Sequence, residues 1–201
     1  MDYQALFQRI LQSVDNQAYL TPTDHVDPKQ RAAIEIVKRE IQSPEFNVLE
    51  ARRLARALHA QGHLDRVMYL SALHVIAASP KVKDWEEAAR LVGEQEFAAL
   101  ELGGPNLQAN LASVDRHRGV LAFMRNHYGV ALDYFTRTLE RQRTAENLGN
   151  VLCCLLALGD EDEARELVDH IRQSLPDMVP EINQIIDQDP DLALLRSPEA
   201  S

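Results

Sequence analysis

The stretch HRGVLAFMRNHYGVALDYFTRTLE, residues 117–140, decides how this chain is read. Apolar residues recur at three- and four-residue spacing on both sides of a break near His127, which predicts two helices. A break this short makes them antiparallel neighbours. Gly119 sits in the first helix, Ala131 in the second, and Phe135 four residues further on. Helices that cross at about 8–10 Å need small side chains where their backbones approach. Gly119 and Ala131 are therefore expected to form the crossing, with Phe135 filling the adjacent hole and Tyr128 plugging the turn.

Nearly every other segment reads as helix. Leu6, Phe7, Ile10, Leu11 and Val14 place an amphipathic helix over 2–19. Asp27 followed by Pro28 signals a capped helix start, with Ile34, Val37 and Ile41 on its apolar side. SPE at 43–45 repeats the cap-then-proline signal for a helix ending at Gly62. Further helices are expected at about 64–79, 85–102, 107–125, 128–142, 145–158 and 161–174, with a short one around Glu181–Asp187. GGPN at 103–106 is the clearest breaker. About ten helices with short connections form a stack of antiparallel hairpins. The fold class is all-α. The chain reads as one helical-repeat domain over 1–201: N-terminal helices over 1–47, repeat-like hairpins over 48–175, and a capping segment with an acidic, frayed end over 176–201.

Composition narrows the function class. No stretch is apolar enough for a membrane-spanning helix, and the start, with an acid at position 2, does not read as a signal peptide. The two cysteines, Cys153 and Cys154, are adjacent; on a helix they point about 100° apart and are poorly placed to bridge. That fits a reducing, cytoplasmic setting. The net charge of −10 is uneven. Residues 159–201 hold twelve acids and three bases, whereas residues 1–158 are nearly balanced. Direct nucleic-acid or lipid binding by the whole chain is not expected.

A period emerges when the hairpins are superimposed. Ala131 and Ala164 are 33 residues apart, and Val67 lies 64 before Ala131. With Trp85, Ala88, Ala89 and Val92, with Gly119, Tyr128, Ala131 and Phe135, and with the turn LGDEDEA at 158–164, the chain resembles the tetratricopeptide repeat (TPR) family over about 48–175. The repeats are degenerate: Val67 stands for Ala, Ser71 for the aromatic, and Leu152 where a small residue is expected. A generic helical bundle is the rival reading.

The resemblance implies a right-handed superhelix whose first helices line a concave groove, and a noncatalytic adaptor that binds a protein segment there. In that frame Arg52, Arg53, Arg56, Arg116, His117 and Asn150 face the groove. Some family members grip an acidic peptide C-terminus with basic and Asn residues on this face. Arg suits a carboxylate because its fork is bidentate. Glu86 and Glu87 occupy the matching places in the Trp85 unit.

Other chemistry is weaker. His59 and His63 have metal-ligand spacing, but Gly62 intervenes and no third ligand is evident. Cys153 and Cys154 lie in an apolar run and read as buried, and His74 reads as a core or interface histidine. No phosphate loop or nucleophile–base constellation is visible. No cofactor or metal is expected. Two alternatives stay open: a self-associating module, a homodimer through Phe7, Ile10 and Leu11, and a small-ligand or metal receptor or enzyme.

Overall fold

The computed structural model describes residues 27–79 and 81–196; the helix expected over 2–19 lies outside them. Among the described residues every regular element is helical. They gather into two compact units, one within Leu11–His117 and one within Arg118–Ser201.

The first unit holds α1 (Pro28–Gln42), α2 (Val48–Ala60), α3 (Arg66–Ala77) and α4 (Trp85–Leu102), and α5 (Leu107–Met124) begins in it. Each of the first four starts where a short polar side chain satisfies an otherwise unpaired backbone N–H. Asp27 accepts from Lys29 N at 2.7 Å, Asn47 from Leu49 N at 2.9 Å, Asp65 from Met68 N at 2.8 Å, and Asp84 from Glu87 N at 3.1 Å. SPE at 43–45 does not open a helix. Ser43 Oγ accepts from Glu45 N at 3.2 Å to make a turn, and Asn47 is the cap. The end of α1 is closed from a distance. The Lys81 ammonium donates to the carbonyls of Ile41, Gln42 and Ser43 at 3.2, 3.0 and 2.9 Å, placing a cation at the negative pole of the helix.

Helix α1 packs on α2 and α3, and α4 packs on α2 and α3. Ala51 and Ala55 of α2 are fully buried, which lets these backbones approach, and Leu73, Ile76 and Leu91 fill the core around them. Two expected repeat positions face solvent instead. Val67 is 51% exposed, so it is not a packing partner of the kind Ala131 is, and Ala89 is exposed while Ala88 and Val92 are buried.

The second unit holds the end of α5, then α6 (Tyr128–Arg141), α7 (Ala145–Leu158), α8 (Glu161–Ser174), a 3-10 turn (Pro176–Met178), α9 (Val179–Gln188) and a closing 3-10 segment (Pro190–Leu195). Helix α7 is buried over Ala145 and Asn147–Leu155, and α6, α8 and α9 pack around it. Both cysteines are buried free thiols within it. Burial pushes the Cys154 thiol up to about 12.

The 117–140 hairpin packs through its small residue. A Cβ built on Gly119 would lie 2.6 Å from the Phe135 ring, so the ring occupies the space a side chain would need. Ala131 and Phe135 are almost completely buried. Tyr128 closes the turn, its hydroxyl donating to Asn126 Oδ1 at 2.7 Å and its ring edge-on to Phe123. The α7–α8 turn uses Gly159 at φ +87°, a left-handed C-terminal cap that glycine adopts without strain.

Gly119→Ala is expected to destabilise the protein by about 1–3 kcal/mol, because Phe135 has to leave its rotamer. Gly129→Ala in the same hairpin, where a Cβ meets open space, is expected to leave stability unchanged or raise it by up to about 1 kcal/mol. Urea unfolding of the two variants beside the wild type checks both signs.

Candidate functional site

Three polar arrangements stand out. The first joins α2, α3 and α4. Arg52 places its guanidinium between two α4 carboxylates, Glu87 at 2.8 Å and Glu94 at 3.0 Å, and its side chain is only 14% exposed. Arg56 grips Glu94 with a fork, Nε at 3.0 Å and Nη2 at 2.6 Å. The Tyr69 hydroxyl of α3 donates to the same carboxylate, and Arg90 donates to Glu87. His59 stacks flat on Tyr69, with ring centroids 4.4 Å apart, and its Nδ1 donates to Leu64 O at 2.8 Å.

The electrostatics follow from this geometry. Burial alone would raise the Glu94 carboxyl, but hydrogen bonds from Arg56, Tyr69 and Arg52 hold it below the usual range. The Arg90 hydrogen bond, against a smaller effect of burial, holds Glu87 low as well. Burial and the Glu94 charge raise the Tyr69 hydroxyl, which stays protonated and able to donate.

The second arrangement is a buried histidine pair. His74 of α3 and His117 of α5 approach with ring centroids 4.8 Å apart. Ser113 Oγ lies 2.6 Å from His74 Nδ1. His117 Nδ1 donates to Gln95 Oε1 of α4 at 2.9 Å, which assigns the proton to that nitrogen and leaves Nε2 as the buried acceptor. Burial, and then the Arg116 charge, push His74 down to about 3. Burial, then His74 and Arg116, lower His117 far below its ordinary value.

The third arrangement lies on the outer face of α6. Val130, Tyr134, Arg137 and Arg141 recur at helical spacing along one side. The Tyr134 ring carries two guanidinium groups, Arg118 at 6.0 Å and Arg137 at 5.2 Å from its centroid. Arg125 and Arg143 are exposed at the two ends of the helix. Residues 118–143 carry five arginines against Asp133 and Glu140, in a chain of net charge −10.

The six residues expected to face a groove have different surroundings. Arg52 and Arg56 come together on Glu94, with their charge already met by carboxylates. Arg53 is exposed and pairs with Glu50 of its own helix at 2.9 Å. Arg116 and His117 belong to the neighbourhood of the histidine pair, and His117 is buried. Asn150 is buried on α7, in the other compact unit. Sequence reading missed Glu94 and Tyr69, and it gave Glu87 a groove position without seeing it as the partner of Arg52. A signal was there: Glu87 and Glu94 are seven apart on one face of α4, matching Arg52 and Arg56, four apart on α2. It also passed over the run of arginines from 118 to 143, because the −10 total hides it. Among the described residues no group of three or more His, Cys, Asp or Glu side chains is placed to hold a metal ion, and no helix is long and apolar enough to cross a membrane.

Comparisons with protein-family models, with curated proteins and with solved structures return no match.

Two expectations follow. Glu94→Gln removes the charge that Arg52, Arg56 and Tyr69 share; chemical unfolding should show a loss of about 2–4 kcal/mol. The histidine pair makes stability depend on pH. Above about pH 6.5 the rings are neutral in both folded and unfolded chains, so their contribution is constant. Below it the unfolded chain takes up two protons that the folded one refuses. Stability then falls as pH falls, by about 1.4 kcal/mol per pH unit for each histidine, until the folded rings titrate. Urea midpoints between pH 7.5 and 5 should follow this slope, and His74→Gln or His117→Gln should each roughly halve it. A flat profile over that window would contradict the buried-neutral assignment.

Proposed function

We propose that this chain is a noncatalytic interaction module that binds an acidic protein segment, and that its hairpins are of the TPR-like kind. The observation that carries the binding reading is the outer stripe of α6, where the Tyr134 ring meets the guanidinium groups of Arg118 and Arg137 and continues into Val130 and Arg141. An apolar and aromatic start with a basic continuation suits a segment that pairs apolar anchors with Asp or Glu. Arginine held over an aromatic ring has less side-chain freedom to lose when a carboxylate arrives.

The same reading moves the acidic ligand away from α2, where Glu87 and Glu94 already occupy Arg52 and the fork of Arg56. A protein segment is favoured over nucleic acid because the net charge of −10 opposes approach of a long polyanion, whereas a short acidic segment meets the local excess of arginine. The TPR-like reading draws on the contact of Gly119 with Phe135 and on the burial of Ala131 and Ala164, 33 residues apart. Two buried free thiols suit a reducing compartment, and we place the module in the cytoplasm.

A fluorescent synthetic peptide of Glu, Asp and Leu tests the stripe. The wild type should bind it with an affinity that weakens as salt rises, and Arg137→Glu/Arg141→Glu should weaken binding at least about tenfold. Arg53→Glu should leave it within about twofold. Equal binding by the wild type and the double variant would reject the stripe, and preferential binding of single-stranded DNA of matched length would reject the protein-segment reading.

A further inference from the structure

Helix α5 is tied to α3 and α4 through two imidazoles. Ser113 and His117 stand one turn apart on one side of α5. Ser113 Oγ meets His74 Nδ1 of α3 at 2.6 Å, and His117 Nδ1 meets Gln95 Oε1 of α4 at 2.9 Å. Both rings are buried, with centroids 4.8 Å apart. His117 Nε2 is buried without a hydrogen-bond partner. On the neutral ring that nitrogen is an acceptor; a proton taken up there makes it a donor that faces no acceptor.

The charges around the pair oppose further positive charge. From α5, Arg116 adjoins His117, and its guanidinium acts on both rings. Asp115, the one carboxylate of residues 107–117, lies about 200° round the helix from His117. From α3 the ring facing His117 is His74 itself. From α4 the facing group is the uncharged Gln95, and Glu94 beside it is held by Arg52, Arg56 and Tyr69. Protonating both rings therefore gathers their charges with that of Arg116 in a buried place, and moving α5 off α3 and α4 lets the rings reach water. The fold supplies a hinge for that movement. The link from α4 to α5 contains successive glycines at positive φ, Gly103 at +59° and Gly104 at +76°. Helices α1 to α4 pack on one another, around Ile34, Val37, Leu73, Ile76 and Leu91, and keep that core when α5 leaves. We propose that residues 107–117 of α5 are an acid-released strap: protonation of His74 and His117 frees them from α3 and α4 about the Gly103–Gly104 hinge, while α1 to α4 stay folded.

The inference rests on the histidine pair and is independent of the acidic-segment reading, which rests on α6. Hydrogen–deuterium exchange of the full chain at about pH 7.5 and about pH 5, corrected for the intrinsic pH dependence of amide exchange, tests it. A stretch as short as 107–117 is a marginal helix once its packing is lost, so its amides should exchange at the lower pH. Each histidine raises the opening constant about tenfold per pH unit below about 6.5, and the two together up to about 100-fold. The amides of α2 should keep their protection at both pH values. His74→Gln/His117→Gln should hold 107–117 closed at the lower pH. Arg116→Gln leaves both rings in place and removes a like charge, so it should lower the opening there at least about threefold. If the double variant does not fold, the wild type and Arg116→Gln still decide the matter. Equal protection of 107–117 at both pH values would overturn the proposal. So would loss of protection in α2 in step with 107–117, which is unfolding of the whole unit, or acid opening unchanged in either folded variant.

Discussion

The Glu94 carboxylate is where three helices of the Leu11–His117 unit meet. Arg52 and Arg56 reach it from α2, Tyr69 reaches it from α3, and it stands on α4. A carboxylate this enclosed persists as an anion because the donors around it outweigh the cost of burial. The arrangement fixes the rotation of α2 and α4 about their axes, since turning either helix would leave Arg52 or Glu94 in a half-buried place without its partner. It also decides what the outer surface offers. Arginines that look available along α2 are committed to internal pairs. The inner face of α4 is committed too, and its far side is left as the surface with exposed Phe97 and Leu100.

The histidine pair adds a different constraint a short way along the same helices. His74 and His117 are kept neutral by burial and by the nearby Arg116 charge. A neutral imidazole can both donate and accept. His117 uses this to donate to Gln95, so α5 and α4 are tied by a buried polar contact. Such a contact is worth little as net stability but costs much when broken, because neither partner can then reach water. It favours one alignment of α5 on α4 over sliding by a turn, which apolar packing alone distinguishes poorly.

In the Arg118–Ser201 unit the order of events along the chain is simpler. Helix α7 is the most continuously buried element, and its neighbours contribute narrow stripes: Ala131, Phe135 and Thr138 from α6, Ala164, Val168 and Ile171 from α8, Ile182 and Ile186 from α9. Narrow stripes leave wide outer faces. On α6 that face is basic and aromatic, and on α8 it is acidic from Glu161 to Asp169. Opposite charges therefore come from two helices of one unit, and a total of −10 conceals them both.

Local signals along the chain set most of the described helices and the turns between them. Caps, prolines, glycines and the spacing of apolar residues act within a few residues, so Asp27–Pro28, the 128–141 helix and the Gly159 turn were legible without any long-range contact. The close approach at Gly119 was legible as well, because a glycine and an aromatic at matched positions of a hairpin leave few other packings. SPE at 43–45 misled because two cap signals compete within five residues, and Asn47 forms the hydrogen bonds that settle which one starts α2. Side-chain partnerships were decided by the tertiary structure alone. Arg52 and Glu94 are 42 residues apart and His74 and His117 are 43 apart. Helical periodicity says which side of a helix a residue occupies, but not which other helix will face it. Whether an arginine serves a ligand or an internal glutamate depends on that second fact, which exists only once the helices have packed.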